Sequence, residues 1–473
     1  MSENVADFNR YADAAQNRRS ILIEELHTDR GHARRIAALF STKLAWIPEW
    51  RTWAHFDGQR WKKNSEEKAL ELAQSVSDIM LDLRGEAPDS TAFAKAAIKM
   101  QCVKDAARAL EAARPILLVR AEAFDAKPHL LNCLNGTLDL RTLTLRDHDP
   151  VDRLTLLTAA AYEPEAHLDL WDRTIIHALP DASVRDYVQK NSGLTLDGSE
   201  QLDQVLLIYG PTRTAKGTVQ GALHNALGEY AHTAGLEDLA LRERTRAGPR
   251  PELVQLQGKR MVSIYETSRM LELDAALLKT IAGSDPVTAR DLYARPVTFV
   301  PQFTLWIASN YRPSLPAADD AVWERLREIP FGVQIPKEQR DRTVRATLND
   351  PNQAGAAILA WAVEGLRQYH ESGLTTPEEV TRATSSYRAE MDVLGGFGED
   401  CLEFGDPSIY QATPQELRDA LDRWRVHAAV EPVTADDLRE WLRARGCVYG
   451  QSKTHGRRRM WSGVGIAHHS EGE

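Results

Sequence analysis

The sequence predicts an α/β protein built from more than one domain. Three observations carry that expectation. The chain has 473 residues, more than one hydrophobic core accommodates, so two to four domains are expected. In its middle, strand-like apolar runs alternate with helical stretches: QVLLIYG at 204–210, RMVSIYE at 260–266 and FTLWIASN at 303–310. Such alternation produces a parallel sheet with covering helices. The first of these runs also opens directly onto a turn-rich loop and a helix, an order suited to holding phosphate.

Composition sets the outer limits. Apolar residues make up 43% and charged residues 27%, ordinary values for a soluble globular chain. No run approaches eighteen apolar residues, so no membrane span is expected. The N-terminus, MSENVADFNRYADAAQNRRS, lacks the apolar core of a secretory signal. Cys102, Cys133, Cys401 and Cys447 are widely spaced and form no CxxC pair, which argues against a zinc site or a disulfide framework. Reduced, buried thiols in a cytoplasm are the plain expectation. The net charge of −10 argues against a surface coated with nucleic acid, but charge is uneven. Lys453, Arg457, Arg458 and Arg459 cluster in KTHGRRR, close to Trp461. Local patches matter more than the total for phosphate binding.

Along the chain, the first part (1–190) reads as a mainly helical α+β domain. Helices are expected over 65–85 and 91–113; in the first, Ala69, Leu72, Val76, Ile79 and Leu83 recur at helical spacing. LLNCLNGTLDL (130–140) alternates apolar and polar residues, and Asn135-Gly136 signals a hairpin. Helices at about 166–179 and 183–192 follow. The second part (191–372) holds the strand–helix alternation and closes on a helix near 353–372. The third (373–473) starts in a boundary-like stretch, 373–412, and continues with helices at 414–427 and 434–445 and a basic strand-like end. Helix, helix, basic hairpin is the order of a winged helix, so this part is expected to be a winged-helix-like DNA-binding region.

The loop after the first strand is QVLLIYGPTRTAKGT, followed by the helical VQGALHNALG. Gly210, Pro211, Thr212, Arg213, Thr214, Ala215, Lys216, Gly217 and Thr218 are the candidate phosphate-binding residues. Loop amides and a helix N-terminus point at phosphate oxygens, and Lys216 reaches the β and γ phosphates. A nearby hydroxyl holds Mg2+. The pattern departs from the usual one twice: Ala215 stands where glycine precedes the lysine, and Gly217 where a hydroxyl follows it. If position 215 needs positive φ, alanine costs about 1 kcal/mol there. Thr218 or water then serves the metal.

Glu266 ends the second strand, where an ATPase holds a carboxylate that polarises the attacking water. The preceding residue is Tyr265 rather than an aspartate. Asn310 ends the third strand and offers an amide to the γ-phosphate and the water. In AVWERLREIPF (321–331), Arg325 and Arg327 are expected on different faces of one short helix. One could reach a neighbouring subunit's ATP as an arginine finger, the other form a salt bridge. Lys279, Arg290 and Arg295 surround a Gly- and Pro-punctuated segment that could form a hairpin touching DNA backbone.

The order GPTRTAKGT, IYETSRMLELDAALLKTIAGSDPVTARDLY, LWIASNYRP and VWERLREIPF resembles superfamily III helicases, and more narrowly the poxvirus- and phage-type primase-helicase family. The resemblance extends over roughly residues 25–466. It implies an AAA+-like P-loop ATPase core that assembles as a homo-hexamer, threads single-stranded DNA and unwinds forked DNA with ATP and Mg2+. It further implies that Lys216 binds phosphate, Thr218 supports the metal, Glu266 activates water and also contacts the metal partly through water, Asn310 senses the γ-phosphate, and Arg325 or Arg327 acts in trans. Only about 25 residues precede the matched start, too few for a primase domain, so either a separate primase partner supplies priming or this chain is a helicase or initiator only. The setting implied is phage or plasmid replication in a bacterial cytoplasm. Two readings stand against an active helicase. One is a non-catalytic DNA-binding ring or initiator with a weakened ATP site, suggested by Ala215, Gly217 and Tyr265. The other is a nucleotide kinase, suggested by AKGT, which the chain's size and later arginine pair oppose.

Overall fold

The structure is a computed structural model that describes residues 16–199, 202–240, 250–265, 273–283, 285–290, 296–428, 433–451 and 458–467. Helix α1 covers 16–24 and α2 covers Asp29–Phe40, its start fixed by Thr28 Oγ1 accepting from the Gly31 amide at 3.2 Å. Strands β1 (Leu44–Ile47), β2 (Thr52–Phe56) and β3 (Trp61–Lys62) form an antiparallel sheet, and α3 (Glu66–Leu83) follows. The single helix expected over 91–113 is two helices, α4 (Ser90–Met100) and α5 (Val103–Ala113). Cys102 between them is extended, with φ −74° and ψ 129°, and is exposed rather than buried as expected, because it lies in the break between the two helices. The break returns α5 onto α2 and α3, so that Ala106, Ala109 and Leu110 share one core with Ile36, Val76 and Phe93.

Strands β4 (Leu130–Cys133), β5 (Gly136–Asp139) and β6 (Thr144–Arg146) form a meander. The expected hairpin is present, but its turn pair is Leu134-Asn135, because Cys133 pairs with Gly136. Gly136 belongs to the strand: its φ is 155°, and a Cβ there would sit 2.4 Å from the Arg146 carbonyl oxygen. Helices α6 (Asp169–Ala178) and α7 (Ala182–Leu196) come next. The expected boundary at 190–191 falls inside α7, whose Leu194 and Leu196 share a core with Leu206 and Trp306 of the central sheet.

A strand with apolar side chains on both faces is satisfied only in a sheet covered on both sides. That explains β7 (Val205–Tyr209): Leu206 and Ile208 enter one core, Val205 and Leu207 the other. The chain continues through α8 (Lys216–Leu227), β8 (Ala231–Ala234), α9 (Pro251–Val254), β9 (Met261–Tyr265), α10 (Ala275–Ala282), the antiparallel pair β10 (Val287–Ala289) and β11 (Val297–Phe299), then β12 (Thr304–Ser309), α11 (Asp320–Trp323) and β13 (Leu326–Pro330). Five strands form an all-parallel sheet in the order β13-β7-β12-β9-β8. Helices α12 (Arg342–Leu348) and α13 (Pro351–Ser372) follow, and α13 lies against α7 and α8.

Arg325 and Arg327 do not share a helix. The helix ends at Trp323, Arg325 lies in the turn after it, and Arg327 is the second residue of β13. Leu326 and Ile329 point to opposite faces of β13 and enter different cores, which a strand paired with β7 satisfies, and that pairing overrides the helical reading.

The stretch expected as a boundary is ordered as α14 (Glu378–Met391) and α15 (Val393–Cys401). Val380 and Tyr387 of α14 are fully buried, and α14 packs along β13. Strands β14 (Leu402–Phe404) and β15 (Gln411–Ala412), helices α16 (Pro414–Ala428) and α17 (Ala435–Ala444), and strands β16 (Val448–Gln451), β17 (Arg459–Ser462) and β18 (Val464–Ile466) complete the described chain. Phe397, Leu417, Leu442 and Trp461 anchor a separate small core there.

Candidate functional site

In an open parallel sheet, ligands bind beyond the carboxyl ends of the strands, where the strand order reverses direction. Here that point lies at β7 and β12: the chain leaves β7 toward β8 and later crosses back over β7 to reach β13. The two neighbouring carboxyl ends carry Gly210 and Asn310.

Gly210 has φ 154°, and a Cβ on it would lie 2.1 Å from the Phe331 carbonyl oxygen. Only glycine permits that approach. The loop then bends through two left-handed residues, Arg213 at φ 67° and Ala215 at φ 65°. Position 215 therefore has the backbone that a glycine would serve better. Pro211, Thr212 and Arg213 are exposed, whereas Thr214 and Lys216 are buried. The tail of β13 braces the loop: Gln334 Nε2 donates to the Thr212 carbonyl at 3.0 Å, and the Ile335 amide to that of Arg213 at 2.8 Å.

Helix α8 starts at Lys216 with no side-chain cap and no acidic residue in its first turn. Its positive end therefore faces the loop with no acidic residue of its own first turn to offset it. Lys216 Nζ donates to the carbonyls of Gly210 and Pro211 at 2.6 Å each, to Thr214 Oγ1 at 3.3 Å and to Asn310 Oδ1 at 2.9 Å. Gly217 has open space on its Cβ side, with no atom within 4 Å. Thr218 is half-buried one residue further on. This donor set suits a phosphate chain: an ammonium, an uncapped helix end and bent loop backbone converge on one spot.

Glu266 lies outside the described residues. Tyr265, immediately before it, closes β9 with its ring 6.4 Å from that of His224, and burial raises its phenol pKa.

Arg325 and Arg327 lie at the amino end of β13, because Leu326 pairs with Val205 while Pro330 pairs with Tyr209 beside the loop. They are thus at the opposite end of the sheet from Lys216. Arg327 Nη1 donates to the carbonyls of Glu324 and Leu326, both at 2.8 Å. Arg325 Nη1 donates to the Ala321 carbonyl at 2.9 Å, its Nη2 lies 3.6 Å from Asp203, and its buried Nε has no hydrogen-bond acceptor.

Among the expected DNA contacts, Lys279 differs from expectation. It lies in α10, not on a hairpin, and its Nζ is held by Asp319 at 2.8 Å with the side chain one-third exposed. Arg290 is exposed and directly follows β10, in the hairpin that β10 and β11 form. Arg458 and Arg459 are exposed at the start of β17. Arg295, Lys453 and Arg457 lie outside the described residues.

Arg312, two residues past Asn310, is a principal organiser of this end of the sheet. It forks onto Glu328, with Nε at 2.8 Å and Nη2 at 2.7 Å from the two carboxylate oxygens. The sequence signal was Glu328 itself: a carboxylate inside a buried strand needs a cation.

The fold and site define an α/β protein whose parallel sheet brings a glycine-led loop, a lysine-led helix and an asparagine together at adjacent strand ends. Residues 33–180 match the family described as D5 N terminal like. The protein named "Putative helicase L207/L206" of Acanthamoeba polyphaga mimivirus is 25% identical over 354 residues, covering 70% of this chain and 36% of its own length. "Putative helicase 121R" of invertebrate iridescent virus 3 is 24% identical over 341 residues, covering 65% of this chain and 36% of its own. An African swine fever virus protein whose name is that of a putative primase is 24% identical over 297 residues, covering 58% and 31%. The solved apo C-terminal region of NrS-1 aligns with a TM-score of 0.47 at 10% identity, covering 89% of this chain and 96% of that one. These matches make the chain similar, over residues 33–180, to the D5 N terminal like family and, over 58–70% of its length, to viral proteins named as putative helicases or primases. It spans about a third of the length of the curated relatives it matches. Those relatives are viral, and their organisms do not bear on the bacterial cytoplasm expected above. Among the described residues no helix is long and apolar enough to cross a membrane.

Proposed function

We propose that this chain is the ATP-driven motor of a DNA helicase or translocase, with a P-loop, AAA+-like core. The observation that carries the reading is the meeting of Lys216 and Asn310, which joins the phosphate-loop candidate to the asparagine strand. The domain arrangement proposed is an N-terminal α+β domain, the ATPase core, and a winged-helix-like DNA-binding region that begins after α14.

ATP is the substrate. Lys216 exchanges its carbonyl partners for phosphate oxygens, a stronger charge-assisted contact. The amides at the start of α8 face the same group. Asn310 orients the γ-phosphate and the attacking water, and Glu266 takes the proton from that water. Mg2+ neutralises charge on the β and γ phosphates when bound, and Thr218 and Glu266 are the residues that would hold it. Arg325 and Arg327, remote from Lys216 in their own subunit, are suited to a neighbour's site. Each is held by two contacts in its own subunit, Arg325 by the Ala321 carbonyl and Asp203 and Arg327 by the Glu324 and Leu326 carbonyls, so either one fits the role. Such a role makes turnover depend on assembly, which fits a homo-hexameric ring. Arg290 on the β10–β11 hairpin, with Arg458 just before β17 and Arg459 at its start, supplies phosphate contacts to single-stranded or forked DNA.

A second reading is a DNA-binding ring or initiator with weak turnover. It is favoured by the left-handed Ala215 and the missing hydroxyl at Gly217.

ATP hydrolysis by the purified chain, with and without single-stranded DNA and beside Glu266→Gln, separates the two. DNA-stimulated turnover that the variant loses is expected. Intact DNA binding with no turnover in either protein would sink the motor and leave the ring.

A further inference from the structure

Two residues past Asn310, the Arg312 guanidinium sits where three parts of the protein meet. The first is β13, through the fork onto Glu328, a side chain only 2% exposed. The second is the residue that immediately precedes the phosphate loop. Arg312 stacks over the ring of Tyr209, 4.8 Å from its centroid. The third is α14, which offers both Glu390 as a second carboxylate and the ring of Tyr387 at 5.4 Å.

Helix α14 grips the rest of the same segment. Tyr387 Oη donates to the Pro313 carbonyl. Arg388 Nε donates to the Ala317 carbonyl at 3.0 Å and its guanidinium pairs with Asp320. Thr384 Oγ1 accepts from the Glu328 amide at 2.9 Å. Arg312, Pro313, Ala317, Asp320 and Glu328 are thereby all held by α14. That helix ends at Met391, and α15, which contributes Leu394 and Phe397 to the C-terminal core, begins at Val393. One residue separates the helix that holds the asparagine loop from the C-terminal module.

We infer that Arg312 is a positioning residue that sets Asn310 against Lys216, and that α14, through Glu390 and Tyr387, ties this setting to the C-terminal module. The inference rests on the ATPase reading above. The physics is that of a clamp. A planar fork held by a buried carboxylate and lying over two rings has little rotational freedom. Asn310 is two peptide units away, so it inherits that rigidity. A shift of about 1 Å at an orienting group costs up to about a hundredfold in rate. A movement of α14 imposed by DNA on the C-terminal module is therefore transmitted to the reacting end of the site without any contact between DNA and nucleotide.

Steady-state ATP hydrolysis by the full chain tests this, with wild type, Arg312→Lys, Arg312→Gln and Glu390→Gln compared in kcat, KM and thermal melting. Lysine keeps the charge but loses the fork, and glutamine at 390 removes only the exposed partner, so the latter fold is expected to be retained. The expected result is a kcat lowered about tenfold or more in both Arg312 variants and several-fold in Glu390→Gln, with KM for ATP unchanged within about twofold. A clamp that only stabilises the fold would lower melting and leave the kcat of the folded protein alone, which overturns the inference. Wild-type kcat in Glu390→Gln overturns its second half, the tie to α14. Absence of turnover in the wild type is a different failure: it removes the ATPase reading, and this inference with it.

Discussion

Lys216 Nζ and Asn310 Oδ1 lie 2.9 Å apart, although 94 positions separate the two residues in the chain. The contact exists because β7 and β12 are parallel neighbours in register, with Tyr209 opposite Ser309. β12 ends one residue before Asn310, and β7 ends at Tyr209, where the loop that leads to Lys216 begins. Replacing Asn310 by alanine leaves Lys216 its carbonyl partners, so nucleotide binding is expected to survive while kcat falls about 10²- to 10³-fold, the usual effect of removing one oriented polar group. Lys216→Ala is expected to abolish binding itself. Turnover and fluorescent-nucleotide titration together check both, and wild-type turnover by Asn310→Ala would reduce the contact to a structural one.

Ala215 carries its left-handed backbone at φ 65° without the freedom of glycine. Ala215→Gly is expected to relieve about 1 kcal/mol of local strain, partly offset by the greater entropy of glycine in the unfolded chain. Gly217 has room for a side chain, so Gly217→Ser supplies the missing hydroxyl without collision. The double variant is expected to hydrolyse ATP faster than wild type at limiting Mg2+. Unchanged turnover across a Mg2+ titration would show that Thr218 or water already serves.

Arg290 is exposed on the β10–β11 hairpin, and its effect on DNA is expected to be electrostatic. Arg290→Ala should weaken single-stranded DNA binding equally for different sequences and lower the slope of log affinity against log salt by about 1. Lys279, tied to Asp319, should change that slope little when replaced by glutamine. Equal slopes for wild type and Arg290→Ala would remove the hairpin from the DNA path.

The N-terminal domain is expected to be acid-labile. Burial, reinforced by the Arg35 guanidinium, holds His32 down at about 4, and burial also lowers His27 and His55. In the unfolded chain these imidazoles take up a proton near 6.5. The folded state resists that proton, so the stability they lend is complete above about 6.5 and is progressively lost as pH falls from there toward 4. Melting temperatures at pH 7.5 and pH 5, compared between wild type and His32→Gln, check the sign: the variant should lose less on acidification. Equal losses would assign the lability to other groups.

Much of the site was legible before the fold was known. QVLLIYG, apolar on both faces, predicts a buried strand; Gly210 and Lys216 bracket the loop; and Asn310 stands at the end of a third apolar run. The possible need for positive φ at position 215 could also be raised from its place before the lysine. These features are local, written within a dozen residues. The break at Cys102, the β13 strand under Arg327, the order of α14 and the capture of Lys279 by Asp319 are not local. Each depends on what a segment meets in space. A strand pairs only if a neighbour offers its edge, and a charge is held only if a partner arrives from elsewhere in the chain. By itself the sequence determined which residue types stand ready for phosphate chemistry and in what order. Only the tertiary structure decided that Lys216 meets Asn310, that Arg312 joins Glu328 across 16 positions, and that α14 lies against both β13 and the asparagine loop, because those meetings follow from strand order and helix packing rather than from spacing along the chain.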